Sequence, residues 1–154
     1  MSVKQTALHQ YQAMVNRVAL RSASLRMPPE GWLRTVRKAL GMSGAQLARR
    51  MGVTRARIAK IEQAELDGGV TLRSMQATAE AMGCRFVYAI VPPRAVEDVI
   101  QGQARKKAAA IVASASGHMA LEDQALPEEK MEQEISRIAG DLLHEMPSDF
   151  WDDG

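Results

Sequence analysis

The stretch that decides the fold lies in the first half of the chain and reads Ser43-Gly44-Ala45-Gln46-Leu47-Ala48-Arg49-Arg50-Met51-Gly52-Val53-Thr54-Arg55-Ala56-Arg57-Ile58-Ala59-Lys60-Ile61-Glu62. Ser43 and Thr54 are residue types that favour helix N-caps, and apolar residues follow each of them at helical spacing. Gly52 permits the left-handed backbone of a tight turn, Ala48 lets two helices cross closely, and we expect Val53 to fill the core between them. The stretch therefore predicts two helices joined by a tight turn, with an outer face free to enter the major groove of DNA.

Helical periodicity continues on both sides of this stretch. Upstream, apolar residues between positions 8 and 25 recur at steps of three, four or seven until Pro28-Pro29, and a second stripe occupies positions 32–40. Downstream, Thr71 opens a helix over 72–82, and further helical patterns occupy 96–112 and 128–142. We expect a mostly α protein: a five-helix domain that contains the motif, followed by C-terminal helices.

One segment between these helices has a different period. Residues 85–91 read Arg-Phe-Val-Tyr-Ala-Ile-Val and are followed by Pro92-Pro93, which predicts one β-strand. A lone strand leaves backbone donors and acceptors unpaired, and pairing with the same strand of a second copy satisfies them. An alternative is a core strand that pairs with a segment interpreted as loop. We expect a homodimer whose interface contains Phe86, Val87, Tyr88, Ala89, Ile90 and Val91.

The net charge of +2 conceals a strong polarity along the chain. Residues 1–60 carry 12 Lys or Arg and a single acid, Glu30, whereas residues 108–154 carry two bases and 11 acids. A basic amino-terminal half favours a polyanionic partner. An acidic carboxy-terminal half either favours a partner with a basic surface or folds back and covers the basic half of the same chain. The charge pattern therefore indicates two partners of opposite sign.

Several classes of protein do not fit this sequence. No apolar run approaches the roughly 18 residues of a spanning helix. We expect no export, because residues 1–6 continue into polar sequence of helical period without an apolar stretch. A single cysteine, Cys84, excludes an internal disulfide and suits the cytoplasm. The three histidines are scattered, and no catalytic, phosphate-loop or metal-ligand spacing occurs. We expect a protein that is not an enzyme and needs neither cofactor nor metal.

The motif resembles the helix-turn-helix of the Xre/Cro family of bacterial and phage regulators over residues 30–82. The resemblance rests on Leu47-Ala48, Gly52-Val53-Thr54, Ile58 and Ile61-Glu62. At the start of the first motif helix the family usually has a Gln that clamps a phosphate, and here that position is Gly44. Either a backbone amide or Gln46 would have to make that contact.

The resemblance implies which residues contact DNA. The base-reading positions of the family fall on Arg55, Ala56 and Lys60, with Arg57 beside them. Arg and Lys bond guanine O6 and N7, and Ala packs on a thymine methyl. Contacts to phosphate fix the register without reading sequence. The candidates for these are Arg34, Arg37, Lys38, Ser43, Gln46 and Arg49.

A wider pattern covers most of the chain and resembles the family called mobile mystery protein A. It comprises Pro29-Glu30-Gly31-Trp32-Leu33-Arg34, the run Arg37–Ser43, and Val87-Tyr88-Ala89-Ile90-Val91-Pro92. Members are typically encoded beside a Fic-domain protein and are regarded as antitoxins of that toxin. The resemblance implies a repressor that binds its own operator and neutralises a Fic-domain partner. Alternatives are a stand-alone phage or mobile-element repressor and a protein-interaction inhibitor that does not bind DNA.

We expect each part of the chain to have a distinct role. Residues 1–29 form an amino-terminal helix, 30–84 the helix-turn-helix DNA-binding domain, 85–93 the dimerisation strand, and 94–154 a helical region with an acidic tail. Within that tail, Phe150 and Trp151 are apolar anchors in an acidic frame and are candidates for docking to the toxin. The acidic region can equally be a set of solvated helix faces.

Overall fold

The computed structural model describes residues 2–121 and 127–153, and over these residues the chain forms seven helices and no β-strand. Residues 122–126, which belong to the predicted acidic region, lie outside the described residues, as do the first and last residues of the chain. The helices are α1 (Val3–Arg21), α2 (Trp32–Ala39), α3 (Gly44–Met51), α4 (Arg55–Asp67), α5 (Leu72–Ala81), α6 (Val96–Leu121) and α7 (Glu128–Glu145).

The chain divides into two compact units. The motif unit is Ser24–Ala89 and contains α2 to α5. The helical-hairpin unit combines Met1–Ala23 with Ile90–Gly154 and contains α1, α6 and α7.

The core of the motif unit is built from apolar residues at helical spacing on the inner faces of its helices. Leu47, Ala48 and Ile58, three of the residues that the motif predicts to be inside, are at most 3% exposed. The expectation that Val53 fills the core between the two motif helices is wrong: Val53 is 37% exposed, in the turn after the left-handed Gly52. The rest of this core comprises Leu33, Ile61, Met75 and Met82.

Side-chain caps fix the two helices of the motif. The Ser43 hydroxyl accepts a hydrogen bond from the Gln46 amide at 3.1 Å, and the Ser43 amide donates to Gln46 Oε1 at 2.8 Å. Gly52 ends α3 with φ +67°, a conformation that glycine adopts without a steric penalty. Thr54 then caps α4 by accepting a hydrogen bond from the Arg57 amide at 3.1 Å. The predicted helix, tight turn and second helix are therefore confirmed.

A carboxylate from α4 caps the amino terminus of α2. Glu65 accepts hydrogen bonds from the amides of Trp32 at 2.7 Å and Leu33 at 2.9 Å. The preceding residue, Gly31, has φ +82°, and a Cβ there would lie 2.9 Å from Glu65 Oε1. Position 31 therefore requires glycine both for its backbone conformation and for the approach of Glu65, which fixes α2 against α4.

The helical-hairpin unit is organised around α6 and α7. Its core contains Ala104, Ala108 and Ala139, together with Phe150 from the C-terminal segment. At α1, the Asn16 side chain donates to Glu97 at 2.9 Å and accepts from the Val96 amide at 2.9 Å. These bonds fix α1 to the amino-terminal end of α6.

Two further expectations about the fold need correction. The predicted strand is not formed in the single chain: residues 85–91 have neither helical nor strand hydrogen bonding, although Phe86 packs against the core of the motif unit. The motif unit contains four helices rather than five, because α1 belongs to the unit of α6 and α7. A strand needs a partner for its backbone groups, and the described part of the chain provides none at this segment.

Candidate nucleic-acid interface

The outer face of α4 is a row of exposed cations that no acid of the described residues neutralises. Arg55, Arg57 and Lys60 are exposed, as is Ala56 between them. Ile58 and Ile61 point into the core and therefore fix which side of α4 faces solvent. Among the described residues, none of the three cations forms a salt bridge or a side-chain hydrogen bond. Their charges are free for an anionic ligand.

The amino end of α3 lies beside this row. A Cβ added to Gly44 would lie 3.9 Å from Cγ of Arg55, so the first residues of α3 and α4 border one surface. The Oε1 atom of Gln46 is held by the Ser43 amide. Its Nε2 has no hydrogen bond to a described residue and remains a donor. Arg49, one turn further along α3, is exposed without an ion pair in the described chain.

The amino end of α5 adds groups that the sequence analysis did not identify as part of the site. A shallow cavity of about 260 Å³ separates it from α4 and is lined by Arg57 and Lys60 on one side and by Thr71 and Ser74 on the other. The Thr71 hydroxyl caps α5 by accepting from the Ser74 amide at 3.0 Å. A helix amino terminus carries partial positive charge. The cap at Thr71, visible in the sequence, was the signal that could have identified this edge.

Arg37 is a structural residue rather than a free phosphate ligand. Its Nε donates to Glu62 Oε1 at 2.6 Å, its Nη2 to Glu62 Oε2 at 3.2 Å and its Nη1 to the carbonyl of Met42 at 3.0 Å. The bonds to Glu62 raise the pKa of Arg37 above its ordinary value. With only 11% of its side chain exposed, Arg37 joins α2 to α4 and to the loop before α3.

The other two cations of α2 are exposed and partly neutralised. The Lys38 ammonium lies 2.7 Å from Glu30, and this hydrogen bond lowers the pKa of the Glu30 carboxyl. Arg34 lies 3.8 Å from Glu62 and 4.0 Å from Glu30. The pairs with the exposed Glu30 contribute little to stability.

The predicted dimer segment exposes apolar side chains and unpaired backbone. Val87, Tyr88 and Ile90 are 68%, 71% and 92% exposed. The rings of Phe86 and Tyr88 stack with centroids 5.7 Å apart, as side chains two residues apart do on one face of an extended chain. Residues 85–91 make no backbone hydrogen bond within the described chain.

The two aromatic residues assigned to toxin docking differ in exposure. Phe150 is 1% exposed and is a core residue of the helical-hairpin unit, so its ring has no surface to offer a partner in this conformation. Trp151 is 53% exposed and packs edge-on against Phe150, with centroids 5.1 Å apart. Only Trp151 is therefore placed to contact a partner directly.

This geometry defines a DNA-binding helix-turn-helix: a capped first helix, a glycine turn, and a second helix with a free cationic outer face. A family model described as Helix-turn-helix matches residues 33–88. The chain therefore contains a helix-turn-helix domain of the Xre type, and this domain is typical of DNA-binding regulators of transcription.

No curated protein and no solved structure is similar enough to this chain to match it. Among the described residues, no helix combines the length and the apolar character that a membrane crossing requires.

Proposed function

We propose that this protein is a homodimeric, sequence-specific repressor of transcription that acts in the cytoplasm without catalysis or cofactor. The observation that carries the proposal is the row of unneutralised cations, Arg55, Arg57 and Lys60, on the outer face of the second motif helix. A helix of this width fits the major groove, and its amino-terminal turn is the part that meets the base edges.

The proposed base contacts divide by residue type. Arg55, Arg57 and Lys60 donate to guanine O6 and N7, and each good contact contributes roughly 1–3 kcal/mol of discrimination. Ala56, which is exposed between two arginines, packs on a thymine methyl. The proposal therefore predicts operator half-sites that contain guanine and thymine.

The proposed phosphate contacts surround the base-reading helix. Ser43 and Gln46 present the amino end of α3, where Nε2 of Gln46 substitutes for the glutamine that is absent at Gly44. Arg49 adds a phosphate contact on the same side of α4 as the amino end of α3. The amino end of α5, together with Lys60, supplies phosphate contacts on the other side of α4. Arg34 and Lys38 reach phosphate by giving up their contacts with the exposed carboxylate of Glu30, whereas Arg37 holds the domain together.

Dimerisation is proposed to use the segment Phe86–Val91. Its unpaired backbone groups and its exposed Val87, Tyr88 and Ile90 are the properties of an edge that a second copy covers. Two copies related by a two-fold axis would read half-sites about 34 Å apart, one turn of the DNA helix.

The DNA-binding test is a mobility-shift titration at two salt concentrations with DNA from immediately upstream of the gene and with a scrambled duplex. We expect tighter binding to the upstream DNA, and a smaller preference for it in Arg55→Ala. Lys38→Ala should weaken binding to both duplexes alike and reduce the salt dependence. Arg137→Ala, which removes an exposed cation of α7 that is paired with Glu134, is the matched control and should bind as wild type. Equal affinity of the wild-type protein for both duplexes would contradict sequence-specific repression.

The dimer is tested by sedimentation at micromolar concentration. We expect the wild-type protein to be a dimer and Ile90→Asp to be a monomer, because a buried unpaired charge opposes the interface. Ile111→Asp, which changes a 47% exposed residue of α6, is the matched control and should remain a dimer. A monomeric wild-type protein would overturn this part of the proposal.

A finer proposal is that the repressor is the antitoxin of a toxin–antitoxin pair and neutralises a Fic-domain partner. It is supported by the resemblance to mobile mystery protein A and by the acidic carboxy-terminal half, in which Trp151 is the exposed aromatic contact. Co-expression with the adjacent gene tests it: a stable complex that Trp151→Ala weakens is expected. Failure to co-purify would favour a stand-alone phage or mobile-element repressor, and absence of DNA binding with retained complex formation would favour a pure interaction inhibitor.

A further inference from the structure

The last described residues of the chain contact α6 in the manner of a bound peptide. We call residues 147–153 the C-terminal segment. Its Phe150 ring is inserted among the small side chains of Ala104, Ala108 and Ala139, which leave room for an aromatic ring between α6 and α7. The ring is 1% exposed, so it supplies a large apolar anchor for a short segment.

Side chains of α6 hold the backbone of the C-terminal segment. Nε2 of Gln103 donates to the Phe150 carbonyl at 2.9 Å and to Asp153 Oδ1 at 3.1 Å. Lys107 Nζ donates to the carbonyls of Asp149 and Asp152. Lys106 Nζ lies 3.1 Å from Asp153 Oδ1. The three side chains lie at positions i, i+3 and i+4, and therefore on one face of α6.

Within the described chain, the backbone–backbone hydrogen bonds of the C-terminal segment lie inside the segment itself. The Phe150 amide donates to the Pro147 carbonyl, and the Asp152 amide donates to the Asp149 carbonyl, each at 2.9 Å. The segment leaves α7 at Met146, which has φ +40°, the only positive φ of a non-glycine residue among those described. A left-handed backbone conformation is unfavourable for a residue that has a side chain, so the junction between α7 and the C-terminal segment is strained.

We propose that α6 and α7 form a peptide-binding groove whose ligand is an aromatic residue followed by carboxylates, and that the C-terminal segment occupies it reversibly. The ring fits the pocket lined by alanines, Gln103 and Lys107 bind the backbone carbonyls, and Lys106 binds the carboxylate. Phe150 becomes available to a partner only when the groove releases it. This proposal does not depend on DNA binding.

The test uses the full-length chain with Phe150→Ala, which empties the pocket, and a fluorescently labelled peptide of residues 145–153. The peptide should bind this variant, and binding should fall about tenfold or more when the peptide itself carries Phe150→Ala. The wild-type chain should bind the peptide at least about tenfold more weakly, because its own segment competes at an effective concentration on the order of 1 mM. Adding Lys107→Met to the variant should also weaken binding. Equal binding of both peptides, or no binding by a folded Phe150→Ala chain, would overturn the proposal.

A second measurement applies if Phe150→Ala does not fold. In the wild-type chain labelled with 5-fluorotryptophan, millimolar peptide should displace the C-terminal segment and shift the fluorine resonance of Trp151. The peptide with Phe150→Ala should leave that resonance unchanged. An unchanged Trp151 resonance with both peptides would mean that the segment is a permanent part of the core.

Discussion

The cations of α4 and those of α6 are the same residue types in opposite circumstances. On α4, Arg57 and Lys60 have no acidic partner among the described residues. On α6, Arg105 pairs with Glu132, and Lys106 and Lys107 hold the C-terminal segment. Basic residues alone therefore do not mark a nucleic-acid surface. The two helices differ in whether carboxylates or carbonyls of the same chain already bind their cations.

The same distinction operates inside the motif unit. Arg37 and Arg34 are one turn apart on α2, and the sequence suggests phosphate contact for both. Arg37 is bound by Glu62 and the Met42 carbonyl, whereas Arg34 is 48% exposed and only loosely paired. Variants of the satisfied cations should therefore change stability, and variants of the free cations should change DNA affinity.

The largest expected effect concerns the ring that the α6–α7 unit buries. Phe150→Ala should lower the free energy of unfolding by about 4 kcal/mol, because it removes a fully buried aromatic side chain. Trp151→Ala, which changes the adjacent half-exposed ring, should cost less than about 1 kcal/mol. Urea unfolding followed by circular dichroism measures both. Similar losses for the two variants would show that the C-terminal segment is less firmly anchored than its contacts indicate.

The next largest effect separates the two arginines of α2. Arg37→Met should destabilise the protein by about 3 kcal/mol, because the buried Glu62 loses both hydrogen bonds from Arg37 and keeps only the longer contact with Arg34. Arg34→Met should change stability by less than about 0.5 kcal/mol, because exposed ion pairs are weak. Thermal or urea unfolding compares them directly. A stability loss below 1 kcal/mol for Arg37→Met would return Arg37 to the set of candidate phosphate ligands.

A smaller effect is the loss of DNA affinity when a cation of α4, but not one of α6, is removed. Arg57→Ala should reduce operator affinity by about 2 kcal/mol and leave stability within about 0.5 kcal/mol of wild type. Lys106→Ala on α6 is the matched control and should leave DNA affinity unchanged. Fluorescence anisotropy with a labelled operator duplex measures the affinities. Equal losses of affinity for both variants would indicate general charge attraction without a defined binding face.

The smallest effect is the pH dependence of the C-terminal segment. Hydrogen bonds from Gln103 and Lys106 lower the pKa of Asp153 below its ordinary value of 3.8. A carboxyl whose pKa is lower in the folded state stabilises that state above the ordinary pKa, and this contribution is lost as the pH falls through the lowered value. Trp151 fluorescence should therefore change below pH 3.8, and Asp153→Asn should remove this transition. A transition that is unchanged in Asp153→Asn would assign it to another carboxyl.

Local features of the fold were predictable from sequence, because they depend on residues close together in the chain. Ser43, Gly52 and Thr54 predicted the caps and the turn, and Ile58 fixed the inner face of α4. The partners of Arg37 and the burial of Phe150 were not predictable. Both depend on contacts over more than 20 residues, Arg37 with Glu62 and Phe150 with Ala104, for which a single sequence has no signal. Residues 85–91 have strand composition without a strand, because composition does not supply a hydrogen-bonding partner.

The most direct test of the central claim is a nuclear magnetic resonance titration of the isotopically labelled protein with the operator duplex. The claim is that DNA binds the unneutralised cations of α4. We expect the largest amide shift changes at residues 54–60 and at the amino end of α3, with no change along α6. Shift changes concentrated on α6, or none at residues 54–60 when DNA is bound, would contradict the account.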